Sequence, residues 1–264
     1  MNSTRYETII VEMANQIGII TLNRPDTLNA INEQMSRELR QALSRMEEDG
    51  DIRVIVLKGA GDRAFCAGAD IKESRRRELQ QQTKFLKGLI ALTRQLENIP
   101  KPIIAAVNGY AFGGGFELIL SCDFVIATKD SSFSSPEINI GIIPAAGGTQ
   151  RLPRLIGKAK AKELLFTGKS ITATEAKEIG LINKVVSSKE ELIEACLVLA
   201  SELAEKAPLA LMQLKHLVNK GVEMPLDLAL DFSYEAFTLL SVSEDRTEGQ
   251  KAFIEKRKPR FKGK

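Results

Sequence analysis

An apolar run at residues 103–107 is followed closely by three consecutive glycines, Gly113, Gly114 and Gly115, and then by the apolar-rich residues 116–121. A short buried strand that breaks into glycine before a helix leaves few ways to fold. Glycine lets backbone pass close to another surface, and the first amides of the following helix have no intrahelical partner. Such N–H groups lie at the positive end of the helix dipole and suit an oxygen that gains negative charge. Gly114 is the candidate donor.

Glu117 lies one helical turn beyond Gly114, on the same face. A second carboxylate, Glu137, follows Pro136 and precedes the apolar run 138–143. Two carboxylates bracketing an oxyanion donor are what addition of water beside a carbonyl requires: one takes a proton from water, and the other delivers one to carbon. A plainer reading stands beside this one. Glu in a first helical turn is favourable through the dipole alone, and a glycine triplet can mark tight packing or a turn.

The 264 residues, 44% hydrophobic and 27% charged, fit one large domain or one domain with an appendage. A net charge of +3 gives no reason to expect nucleic acid as the main partner. Cys66, Cys122 and Cys196 are odd in number and widely spaced, as expected of reduced core residues in an intracellular protein. His216 is the only histidine and no cysteine pair has ligand spacing, so no metal site is expected. The N-terminal MNSTRYETIIVEM has neither a secretory nor a transit pattern, and no apolar run reaches membrane-spanning length. The expected location is the cytoplasm.

Along the chain, residues 6–13 and 18–22 read as a hairpin, and Asn32 caps a helix to Glu48 with Met35, Leu39, Ala42, Leu43 and Met46 on its apolar face. Residues 54–57 form a strand. The following GAGDRA nominally fits a dinucleotide-binding loop, but such a loop must open a helix directly, and residues 65–70 are instead a second small-residue loop. Those small residues bare their amides, and Ala69 is a second candidate donor opposite Gly114, with an ordinary surface turn as the alternative.

Residues 73–96 read as one polar helix with Leu79, Phe85, Leu86, Leu89, Leu92 and Leu96 inward and Arg75–Arg77 as a solvated face. The loop 145–150 opens a helix through Leu155, and its amides can face the same cleft. Helices at 159–166, 174–179, 190–206, 209–219, 226–240 and 244–256 follow, interrupted by residues 183–186. His216 is assigned to packing, and the basic KRKPRFKGK to a mobile tail or a grip on ligand phosphate. Strand and helix alternate first and helices dominate last, an α/β chain.

Together the strings LNRPDTLNAIN, FCAGADIKE, PIIAAVNGYAFGGGFELILSCD, PEINIGIIPAAGGTQRLPR, GLINKVV and EGQKAFIEKRKPRFKGK resemble the enoyl-CoA hydratase/isomerase (crotonase) family over essentially the whole chain. The resemblance implies a ClpP-like spiral of ββα units over residues 1–200 and a helical region, 201–264, that drives trimer formation, with pairs of trimers making hexamers. It implies a coenzyme A thioester whose carbonyl oxygen lies between the amides of Ala69 and Gly114, with coenzyme A as part of the substrate and no further cofactor. Glu117 would hold and deprotonate water and Glu137 would protonate the α-carbon. The adenine and pantetheine arm would lie along Asp26, Leu28, Ala30, Ala67, Asp70, Ile71 and Lys72, and Phe253 and Lys256 would meet its nucleotide end from a neighbouring subunit.

By the same resemblance, two glutamates favour syn hydration of a 2-enoyl-CoA over isomerisation of a 3-enoyl thioester. Ala145 stands where many hydratases carry glycine, and Ser135 where some short-chain members carry Gln. Parts of the C-terminal half resemble the branch that hydrates methylglutaconyl-CoA and includes an AU-rich RNA binder. On residues 32–49, however, Arg37, Arg40 and Arg45 are offset by Glu33, Glu38, Glu47, Glu48 and Asp49, so RNA binding is not expected.

Overall fold

The computed structural model describes residues 6–264. The N-terminal reading of residues 1–5 lies outside them. β1 (Ile9–Ala14) and β2 (Ile17–Leu22) pair antiparallel through Asn15 and Gln16, both left-handed with φ of 52° and 69°. Two positive φ values give a turn whose twist matches that of the strands. α1 (Glu33–Glu48) starts where Asn32 accepts from the Met35 amide at 2.8 Å, and all five residues of its expected apolar face are buried.

The chain then repeats one manoeuvre. β3 (Val54–Gly59) leads into β4 (Ala64–Cys66), α2 (Ile71–Ser74) and α3 (Leu79–Asn98). β5 (Ile103–Val107) leads into β6 (Tyr110–Phe112) and α4 (Gly114–Ile119). β7 (Phe124–Thr128) leads into β8 (Ser132–Ser134), a 3-10 turn (Pro136–Ile140), α5 (Gly148–Ile156) and α6 (Lys158–Thr167). In each pass the first strand joins the six-stranded sheet β1-β2-β3-β5-β7-β10 and the second joins the four-stranded sheet β4-β6-β8-β9. β2 through β7 and on to β10 pair parallel, as do β4, β6 and β8. This is a spiral of ββα units. β9 (Ile171–Thr172), α7 (Ala173–Glu178), β10 (Lys184–Val186) and α8 (Lys189–Ala204) close it. β5 is buried at every position, as a strand between two parallel neighbours must be.

Three expectations are corrected. The helix expected at 73–96 is two: Asp70 caps α2 through the Lys72 and Glu73 amides, Glu78 and Gln81 form a capping box at α3, and Leu79 faces solvent at 83% exposure. The Arg75–Arg77 run is not uniformly solvated, since the Arg77 side chain is buried, pairs with Glu73 at 2.7 Å and stacks 3.6 Å from the Phe85 ring centroid. The basic tail is tied down: Arg257 pairs with Glu248, the Lys262 and Gly263 amides donate to Asp245, and Arg53 donates to the Phe261 carbonyl.

α9 (Pro208–Gly221), α10 (Leu226–Ser241) and α11 (Glu244–Ile254) end the chain. α9 buries none of its residues and α10 buries only Ala236. His216 meets Phe232 edge-on at 5.2 Å rather than entering the core. Among the described residues no helix is long and apolar enough to cross a membrane.

Candidate active site

The site forms where two glycine-rich turns cross. Gly115 carries no Cβ because one there would stand 2.3 Å from the Cys66 carbonyl oxygen, so α4 can begin directly against the turn after β4. That approach brings the two candidate donors together: a Cβ built on Gly114 would lie 3.5 Å from the Ala69 nitrogen. The Gly113 and Asp70 amides are engaged, by the Ser134 and Ile31 carbonyls, while those of Ala69 and Gly114 donate no backbone hydrogen bond among the described residues. Two adjacent free amides, one at the first residue of α4, make a place for an oxyanion.

Glu117 sits in the first turn of α4 at 3% exposure. Its Oε1 accepts from the Gly148 amide at 2.8 Å, at the start of α5. The loop 145–150 therefore does turn an amide into the cleft. Burial pushes the Glu117 carboxyl up to about 7; the Gly148 amide opposes this, Glu137 adds to it by like-charge repulsion, and the Ala146 amide and Arg151 also oppose it. Glu137, in the turn after β8, reaches back toward the glycines: a Cβ on Gly113 would lie 3.1 Å from its Oε1. Burial raises its carboxyl as well, and its Oε2 is buried without a protein partner, as is the Ser135 Oγ. Glu137 thus comes against the residue before Gly114, and Glu117 lies one turn beyond it on α4.

The expected ligand-arm residues also gather. The Ala67 amide donates to the Leu28 carbonyl, the Ile31 amide to Gly68, and the Asp70 amide to Ile31, so residues 26–31 run beside 67–72. Asp26 lies in a 3-10 turn and Leu28 ends it in the left-handed region. Ala30 is buried and Ile71 exposed. The Asp70 carboxylate is occupied by the α2 cap and by Arg24 at 3.0 Å, leaving backbone groups and Lys72 for a ligand. Phe253 is 86% exposed, and Lys256 follows α11 in the left-handed region; the hydrogen bonds around them tie this end to Glu248 and Asp245 rather than to the two segments.

Thr93 and Arg151 entered the site unannounced. Both donate to the Ala146 carbonyl, at 2.8 Å and 3.1 Å. Cys66 and Cys196 are buried free thiols, each pushed up to about 12 by burial, which disfavours nucleophilic chemistry. Among the described residues no group of three His, Cys, Asp or Glu is placed to hold a metal ion.

Residues 12–264 match the family described as enoyl-CoA hydratase/isomerase. A short-chain-enoyl-CoA hydratase of Clostridium acetobutylicum is 41% identical over 252 residues, 95% of either chain. A crotonyl-CoA hydratase of Syntrophomonas wolfei is 40% identical, with 97% of this chain and 98% of that one covered. The crystal structure of an enoyl-CoA hydratase from Bacillus anthracis superposes with a TM-score of 0.95 at 40% identity, covering 98% of this chain and all of that one. With the spiral, the paired amides and the two carboxylates in one cleft, the chain belongs to the enoyl-CoA hydratase/isomerase family.

Proposed function

We propose that the protein hydrates the 2,3 double bond of a short-chain 2-enoyl-CoA, giving the 3-hydroxyacyl-CoA. The observation that carries this is that Glu137 comes against Gly113, and Glu117 lies one turn along α4 from Gly114, beside the free amides of Ala69 and Gly114. Two relatives, named for short-chain and crotonyl thioesters, support the chain length. The thioester oxygen accepts from the two amides and gains charge as the α-carbon becomes enolate-like; losing one such donor typically costs about 3 kcal/mol of barrier. Hydroxide from water bonds to the β-carbon, the water's remaining proton goes to one carboxylate, and the other carboxyl gives its proton to the α-carbon.

Glu117 is assigned as the base, because the Gly148 amide favours its charged form. Glu137, with an oxygen that no donor reaches, is assigned as the acid. Reaction requires Glu117 ionised and Glu137 protonated when the thioester binds. The ligand arm is read along residues 26–30 and 67–72, with Phe253 and Lys256 serving a neighbouring subunit's ligand, since Phe253 faces away from its own chain. Residues 201–264 are read as the oligomerisation region of a trimer or hexamer. A cytoplasmic location goes with this reading.

Glu117→Gln and Glu137→Gln should each lower kcat for crotonyl-CoA by about a hundredfold to ten-thousandfold while thioester binding persists. Wild-type turnover in either variant overturns the assignment.

A further inference from the structure

Glu117 is held by a turn, and that turn is itself clamped. The Ala146 carbonyl lies between the two peptide units whose amides face Glu117, and it accepts from Thr93 on α3 and from Arg151 Nη1 on α5. The rest of the Arg151 guanidinium is spanned by Glu97 of α3, Nη2 at 2.8 Å and Nε at 3.4 Å. The Glu97 carbonyl is held in turn by Asn219 of α9 at 3.1 Å. Gly147, at φ +125°, completes the fit: a Cβ there would stand 1.8 Å from Arg151 Nη1, so the guanidinium can lie across the turn only where the residue is glycine.

We propose that Arg151, anchored by Glu97, is a positioning residue that fixes the 146–148 turn around the Glu117 carboxylate and holds a positive charge behind it during water addition. The inference rests on the reading of Glu117 as an acid–base group. A planar fork suits the task because two of its donors span the Glu97 carboxylate on one edge while a third reaches the carbonyl on another, a fixed spacing that a single ammonium nitrogen does not supply. The charged groups acting on Glu117 are Glu137 from the turn after β8 and Arg151 from α5, with Glu97 of α3 facing Arg151 from behind. Removing the cation leaves the repulsion from Glu137 less opposed, and the Glu117 carboxyl then loses its proton at higher pH.

The test is kcat and kcat/KM for crotonyl-CoA from about pH 5 to pH 9 in wild type, Arg151→Gln, Arg151→Lys and Glu97→Gln. Arg151→Gln should lower kcat by about tenfold to a hundredfold with KM within about twofold, and should move the acidic limb of kcat/KM, where the base Glu117 ionises, upward. Arg151→Lys should lower kcat yet keep the limb in place, because the charge remains. Glu97→Gln should lower kcat without raising the limb. A folded Arg151→Gln protein with wild-type kcat and pH profile overturns the proposal; should that variant not fold, wild-type kcat in both Arg151→Lys and Glu97→Gln overturns it equally. Loss of activity in Glu117→Gln beside wild-type behaviour in the Arg151 variants sinks the clamp alone, whereas wild-type turnover in Glu117→Gln sinks the site reading beneath it.

Discussion

α8 and α10 are each sixteen residues long and rich in apolar side chains, yet they end in opposite environments. α8 lays Leu192, Cys196, Ala200 and Ala204 on the six-stranded sheet, in the cluster of Ile17, Val54, Val56, Ile104 and Ile126. α10 buries Ala236 alone and turns Leu226, Leu228, Leu230, Tyr234, Phe237 and Leu239 to solvent. A sheet has two faces to cover, and α8 finishes that task within the chain. α10 lies beyond it, and so large an exposed apolar surface fits the subunit contact proposed for residues 201–264.

The largest expected effects test that contrast directly. Leu192→Ala should destabilise the protein by about 2–5 kcal/mol in chemical denaturation, as cavity formation in a packed core does. Leu230→Ala should cost under about 0.5 kcal/mol in a dissociated chain, because its side chain gives up little there. Leu230→Asp should instead reduce the native mass to that of one chain by light scattering. An unchanged mass would break the comparison, showing that the α10 face does not hold subunits together.

A second contrast lies within the spiral, between its apolar interior and the carboxyl group set inside it. Burial pushes the Glu117 carboxyl up to about 7 from its ordinary 4.5. Below about pH 4.5 both folded and unfolded forms carry the proton, so the group contributes nothing. As pH rises the unfolded chain releases it while the folded chain retains it, so the folded state loses ground until about pH 7 and stays at that disadvantage above. Glu117→Gln, which keeps an acceptor for the Gly148 amide, should therefore stabilise the protein by up to about 3 kcal/mol at pH 8. The gain should shrink as pH falls toward 4.5; a gain independent of pH would mean that the carboxyl group is not strained by burial.

The same contrast explains what was legible beforehand. α1, β5 and the helices after residue 157 declared themselves through caps and unbroken apolar spacing, because each is long enough to show a period. β4, β6, β8 and β9 have only two or three residues each, too few for alternation, so the second sheet stayed hidden although it brings the glycine turns together. Gly114 and Glu117 could be found because they sit a turn apart on one short helix. Arg151, Glu97 and Thr93 could not: Arg151 meets Glu97, and Thr93 meets the Ala146 carbonyl, only after folding and across more than fifty residues, and an Arg in a helix interior reads as an exposed charge. The tail was misjudged for a similar reason, since its basic composition does not disclose Asp245 and Glu248 waiting one helix earlier.

The smallest effect is expected at Ala145, the residue that departs from the glycine of many hydratases. Its backbone does not enter the left-handed region, so glycine would relieve no strain there. The turn is shaped downstream instead, by Gly147 at φ +125° and by the two donors on the Ala146 carbonyl. Ala145→Gly should thus leave kcat for crotonyl-CoA within about twofold and lower stability by about 0.5–1 kcal/mol, through the greater freedom of the unfolded chain. A tenfold change in kcat would place control of the Glu117 turn at its first residue and weaken the case for the Arg151 clamp.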